Sequence, residues 1–114
     1  MQAVAEAVTV AGGVCIGLLP GVDRRDGNPA LTVALPTGLG EGRNLLVVRA
    51  ADAVIAIGGE YGTLSEIAFA RKLGKAVIGL RTWTLERDGE PPSTHITAAS
   101  DPAGAVRLAL DACP

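Results

Sequence analysis

Ala53-Val54-Ile55-Ala56-Ile57-Gly58-Gly59-Glu60-Tyr61-Gly62-Thr63-Leu64-Ser65-Glu66 decides how this chain folds. Its first five residues form an apolar run with no polar alternation, as in a strand covered on both faces of a parallel sheet. Gly58, Gly59 and Gly62 then let the backbone turn tightly. A helical pattern follows, with Leu64, Ile67, Ala68 and Leu73 on one face and Gly74 at its stop. Thr63 and Glu66 have the spacing of a capping box, the hydroxyl accepting from a helix N–H and the carboxylate reaching back. The same residues lie where open α/β sheets bind ligands: at the carboxyl end of a strand and the start of a helix, whose free N–H groups and dipole favour an anion such as phosphate. A helix cap and a phosphate-binding turn are both open readings of these residues.

Working outward, residues 2–11 suit a helix stopped by Gly12-Gly13, and residues 14–19 form an apolar run closed by Pro20-Gly21, read as a strand buried on both faces. A polar loop at 21–29 leads to a short run at 31–35, and 36–40 is a second loop. Residues 43–51 fit strand or helix by periodicity, and the Ala50-Ala51 pair favours helix. On the other side, 76–80 is a further buried strand, 86–93 a polar loop containing Pro91-Pro92, and 95–99 a last short strand. Asp101 as N-cap with Pro102 at the first helical position opens a final helix through 112. Alternating helix and strand predicts a parallel sheet with right-handed crossovers and helices on both faces, an α/β architecture forming one domain over 1–114.

Composition narrows the function. The chain has 114 residues, 48% hydrophobic and only 3% aromatic, so its core is aliphatic; 19% charged residues and a net charge of −2 give no basic footprint for nucleic acid. Arg24-Arg25 is a short exposed pair and no such patch. The apolar run at 14–19 is far too short to span a bilayer, and no signal segment opens the chain, so a cytoplasmic protein is expected. Cys15 and Cys113 have neither metal-ligand nor redox spacing, and no protein-bound metal is expected. No Walker lysine follows the glycines and no Gly-x-Gly-x-x-Gly turn follows the first strand. His95 is assigned no acid–base role, Trp83 is read as a loop anchor or a platform for a flat ring, and Asp23, Asp26 and Asn28 as solvated loop polarity or, since they follow the carboxyl end of a strand, as residues reaching the ligand crevice.

With these residues in place, the chain resembles the LOG (lonely guy) or lysine-decarboxylase-like Rossmann family, whose hallmark is Pro-Gly-Gly-x-Gly-Thr-x-x-Glu. Gly59, Gly62, Thr63 and Glu66 match it, with Tyr61 at the variable position. The family also carries an Arg nine residues before the Asp that opens the central strand, and Arg43 stands nine before Asp52. Leu19-Pro20-Gly21, Thr37-Gly38 and Arg43-Asn44 look most like the bacterial branch that includes molybdenum-cofactor carrier proteins.

The resemblance implies a homodimeric Rossmann-like domain and, in the family's enzymes, hydrolysis of the N-glycosidic bond of a nucleoside 5′-monophosphate. Glu66 would then stabilise the oxocarbenium-like sugar or activate water, and Arg43 would orient that carboxylate or bind ligand. Gly58, Gly59, Tyr61, Gly62, Thr63 and Asn44 would hold the ligand, the turn offering its N–H groups to phosphate. Three departures favour binding over hydrolysis: Gly58 replaces the family's Pro, Glu60 adds a negative charge in the turn, and Asn44 replaces a Lys. The family's strand, Gly-rich turn, helix and second strand that precede the segment beginning here at Met1 are absent, which implies an N-terminally truncated version with an exposed sheet edge for a dimer partner. The expected function is therefore binding of a nucleotide-like or pterin-like anion, a nucleoside monophosphate or a molybdopterin-type ligand. Phosphoribohydrolase activity and an inactive structural remnant are the alternatives.

Overall fold

The computed structural model describes all residues 1–114 and divides into two compact units, Met1–Leu46 and Val47–Pro114. In the first, helix α1 (Gln2–Val10) precedes strand β1 (Ile16–Leu19), which pairs in parallel with β2 (Val33–Pro36). Gly12, in the left-handed region at φ +82°, lets the chain leave α1. The β1 strand begins two residues later than its apolar run, and its first residue does not have the expected burial. Val14 is 67% and Ile16 58% exposed. Apolar character made this run a strand, but within the unit only β2 pairs with it, and the two-stranded sheet leaves these side chains open.

The loop between β1 and β2 satisfies its own polar groups. Asp23 accepts from the Arg25 backbone N–H at 2.9 Å and pairs with the Arg25 guanidinium at 2.7 Å, while Asn28 Oδ1 accepts from the Ala30 N–H at 2.8 Å. These local bonds build the turn around Asp23 and Asn28. The Arg25 guanidinium holds the Asp23 carboxyl below its ordinary value.

The boundary between the units falls within α2 (Arg43–Ala50), the helix expected from Ala50-Ala51. The second unit continues through β3 (Ala53–Ile57), α3 (Tyr61–Lys72), β4 (Ala76–Leu80), β5 (Thr97–Ala98) and α4 (Pro102–Ala112). Its three strands are all parallel, in the order β3-β4-β5, with Ala53 opposite Ala76 and Ile57 opposite Leu80. The strands thus form two parallel sheets in place of the single one expected, because alternation predicts parallel strands without saying which ones pair.

Period-2 alternation in β3 and β4 builds a core on each face of the three-stranded sheet. Ala56 and Val77 pack with Ile67 and Ala70 of α3 and Val48 of α2; Ile78, with Ala53 and Ile55, packs with Ala105 and Ala109 of α4. Helices therefore cover both faces of this α/β, Rossmann-like unit. In α3 it is Ala70, and not Ala68, that joins Ile67 in the core; Ala68 is exposed.

The helix ends follow the chemistry of the sequence. Gly74, at φ +76°, closes α3 with bonds from Gly74 N–H to Arg71 O (3.1 Å) and Lys75 N–H to Ala70 O (2.9 Å). Lys75 Nζ then donates to the Arg49 carbonyl (2.7 Å) and the Ala51 carbonyl, placing a cation on the negative end of α2. Asp101 caps α4 as expected, accepting from Gly104 N–H at 2.7 Å.

Candidate functional site

The turn from β3 into α3 is tighter than the sequence suggests. Gly58 and Gly59 both adopt left-handed backbone, at φ +53° and +85°, and α3 begins at Tyr61 with Glu60 as its N-cap. The capping box expected at Thr63 and Glu66 therefore does not form: Thr63 lies inside the first turn, and the N-cap residue Glu60 makes no side-chain cap bond. The reason is steric. The glycine pair reverses the chain at once, and Thr63 packs over Gly59 so closely that a Cβ on Gly59 would sit 1.9 Å from Thr63 Oγ1 and 2.4 Å from Thr63 Cβ. The first bond into the turn of α3 is Leu64 N–H to Glu60 O at 3.1 Å, so the N–H groups of Tyr61, Gly62 and Thr63 precede the intrahelical ladder.

The end of β4 and the residues after it hold this turn. Gly58 N–H donates to Leu80 O (3.2 Å), Thr82 Oγ1 donates to Gly58 O (2.6 Å), and Trp83 Nε1 donates to Glu60 O (3.1 Å). Trp83 is thereby an anchor of the turn. It also packs against the core, and its ring centroid lies 5.5 Å from that of Tyr61 at 43°. With the Gly58 and Glu60 carbonyls engaged, the α3 N-terminal N–H groups remain as the turn's donors. Glu60 is exposed and its carboxylate makes no cap bond.

A hollow of about 280 Å³ is lined by Gly58, Gly59, Arg81, Thr82 and Trp83. Arg81 is the residue that sequence reasoning missed. It is the one non-glycine residue with positive φ, +51°, and its exposed side chain is a cation beside the glycine turn. Strain of this kind collects at functional sites. A cation directly after a buried strand, level with the carboxyl end of β3, was the available signal.

The remaining expected residues are distributed as follows. Glu66 lies on α3, in the turn after Thr63, and is partly buried. Arg43 and Asn44 open α2 in the first unit, both partly buried. Arg43 Nη1 donates to Leu18 O at 3.0 Å, tying the start of α2 to the carboxyl end of β1. A cation at a helix N-terminus opposes the dipole, and this carbonyl offsets that cost.

Comparison with known proteins fits this architecture. The profile of the SLOG cluster4 family matches residues 1–108. An uncharacterised protein of Archaeoglobus fulgidus is 39% identical over 82 residues, which cover 71% of this chain and 53% of that protein. The chain thus spans about half the length of the curated relative it matches. The molybdenum cofactor binding protein of Rippkaea orientalis superposes with TM-score 0.82 at 30% identity, over 97% of this chain and 69% of that one. The molybdenum cofactor carrier protein of Chlamydomonas reinhardtii superposes with TM-score 0.76 at 26% identity, over 98% and 69%.

Proposed function

The chain belongs to the SLOG cluster4 family, and from that premise we propose that it binds, without hydrolysing, a phosphate-bearing ligand of the nucleotide or pterin type at the β3–α3 turn. The observation that carries this reading is the uncapped N-terminus of α3. Thr63, which a helix cap would have explained, instead packs on Gly59, and the N-cap residue Glu60 makes no side-chain cap bond. The N–H groups of Tyr61, Gly62 and Thr63 would hold the phosphate through the helix dipole and direct donation. Arg81 would supply the positive charge that Glu60 opposes and that Asn44 lacks, and Thr82 and Trp83 keep the turn from collapsing.

The named functions of the Rippkaea orientalis and Chlamydomonas reinhardtii proteins support a molybdopterin-type ligand as one member of this class. Such a ligand would be carried as cargo and held by its phosphate and ring. A homodimer in the cytoplasm belongs to the same reading.

The second reading is a nucleoside 5′-monophosphate phosphoribohydrolase, favoured by Arg43 and Glu66 standing in the family's register. There Glu66 would assist water in adding to the sugar's anomeric carbon as the base departs with a proton. One experiment separates the two: calorimetric titration of wild-type protein and Arg81→Ala with inorganic phosphate and AMP, with base release followed by chromatography beside Glu66→Gln. Binding that weakens in Arg81→Ala, with no base released, is expected. Base release abolished in Glu66→Gln would replace this reading by the enzyme, and absence of any binding or release would remove both.

A further inference from the structure

Different forces hold each of the two units folded. Val47–Pro114 has two buried apolar clusters, one on each face of its three-stranded sheet, and every member of both lies within that unit. Met1–Leu46 has no such cluster. Ala5 is its only buried residue, whereas ten buried apolar side chains, from Val48 to Ala109, belong to the other unit. The strands of the first unit show the consequence. Parallel pairing sets Ile16 opposite Val33 and Leu18 opposite Leu35, so these four side chains share one face of the β1–β2 sheet. Ile16, Val33 and Leu35 are exposed, and Leu18 is only half-buried.

Hydrogen bonds hold this unit instead. Besides the strand ladder, Cys15 N–H donates to Thr32 Oγ1 (2.9 Å), Thr37 Oγ1 to Leu19 O (2.7 Å), Thr9 Oγ1 to Ala30 O (3.0 Å) and Arg43 Nη1 to Leu18 O (3.0 Å). Such bonds replace bonds to water for little net gain, and burial of apolar surface is what offsets the entropy of ordering the chain. That entropy is large here, because eight of the fifteen glycines fall within Met1–Leu46.

We infer that Met1–Leu46 is an order–disorder device: it opens as one unit while Val47–Pro114 stays folded, and Arg43 is its latch. Segments with few buried apolar side chains and exposed backbone hydrogen bonds open at a fraction of the free energy of global unfolding. Arg43 opens α2, the helix that the boundary between the units crosses, and Val48 further along the same helix is fully buried in the core of the second unit. The Arg43 guanidinium therefore fastens the carboxyl end of β1 to a helix whose far half is already anchored. Opening frees that guanidinium from the Leu18 carbonyl, so any role of Arg43 toward a ligand requires the first unit to be folded. The inference is independent of which ligand the chain binds.

Native-state hydrogen exchange of the full chain, followed by NMR in increasing sub-denaturing urea, tests it. After correction for intrinsic rates, the ladder amides of β1 and β2 should exchange at least about a hundredfold faster than those of β3 and β4, and their rates should rise less steeply with urea, because this opening exposes only part of the chain. Ile67→Ala, in the second unit's core, should speed exchange in β3 and β4 about tenfold or more and leave β1 and β2 unchanged. Arg43→Met should do the reverse. Equal rates and equal urea slopes in the two strand sets of the wild type, or parallel acceleration of both sets by Ile67→Ala, would show one cooperative unit and overturn the inference. If Ile67→Ala does not fold, the wild-type rates and slopes decide the matter alone. Unchanged β1 and β2 exchange in Arg43→Met would overturn the latch.

Discussion

Gly59→Ala should disrupt the β3–α3 turn far more than Gly58→Ala, because the space around the two glycines differs. Both glycines have positive φ, so alanine at either costs about 1–2 kcal/mol for left-handed backbone, offset by about 0.4–1 kcal/mol because alanine restricts the unfolded chain. A Cβ on Gly58 meets nothing within 4 Å, which leaves a net loss of roughly 1 kcal/mol. A Cβ on Gly59 meets Thr63 Oγ1 at 1.9 Å, Cβ at 2.4 Å and Cγ2 at 2.9 Å. The hydroxyl can rotate away but Thr63 Cβ cannot, since the helix backbone fixes it, so the first turn of α3 must move. Overpacking of this kind costs about 1–3 kcal/mol more, for a total of roughly 2–4 kcal/mol. Equilibrium urea unfolding by circular dichroism measures both, and the slope with denaturant should be unchanged if only stability is altered. Thr63→Gly added to Gly59→Ala removes the clashing atoms and should recover the overpacking part, although the extra glycine lowers helix stability by about 1 kcal/mol. Equal losses for Gly58→Ala and Gly59→Ala would refute the steric account of why α3 starts at Tyr61.

Ile67→Ala should cost about 2–5 kcal/mol in the same unfolding assay, because Ile67 is 0% exposed and packs in the core cluster with Val48, Ala56, Ala70 and Val77. Ala68→Ser, on the exposed side, should stay within about 0.5 kcal/mol; a large effect there would reverse the assigned helix face. Asp23 should titrate below its ordinary value in an NMR-monitored pH series and move back toward it in Arg25→Met, since the Arg25 guanidinium is the main cause of the lowering and the residue-25 backbone N–H, the second cause, remains. A lowered native pKa contributes stability above the unfolded value and loses it as pH falls through the native one. This pair is exposed to solvent, so the readout is the titration itself and not global stability.

Much of the site was legible because turn and helix chemistry is local. Gly74 closing α3 and Asp101 capping α4 each follow from one residue's conformational freedom or one side-chain oxygen. Thr63 and Glu66 show the limit of that logic. Their spacing is a valid capping box, yet two left-handed glycines moved the helix start upstream, and a short-range pattern cannot weigh that against the packing of Thr63 on Gly59. Arg81 carried no motif at all. Its relevance comes from β4 pairing in parallel with β3, which brings Leu80 level with Ile57 and sets Arg81 beside the glycine turn.

The order of elements, their parallel sense, most of their ends and the strand-to-helix turn that carries the family pattern were thus legible from residues near one another in the chain. The pairing of distant segments decided instead that Trp83 braces that turn, that Arg81 stands beside it, and that the strands divide as two and three. Those features join segments distant in the chain, as in Trp83 donating to Glu60. Such contacts are set by strand register and packing, which composition and periodicity leave undetermined.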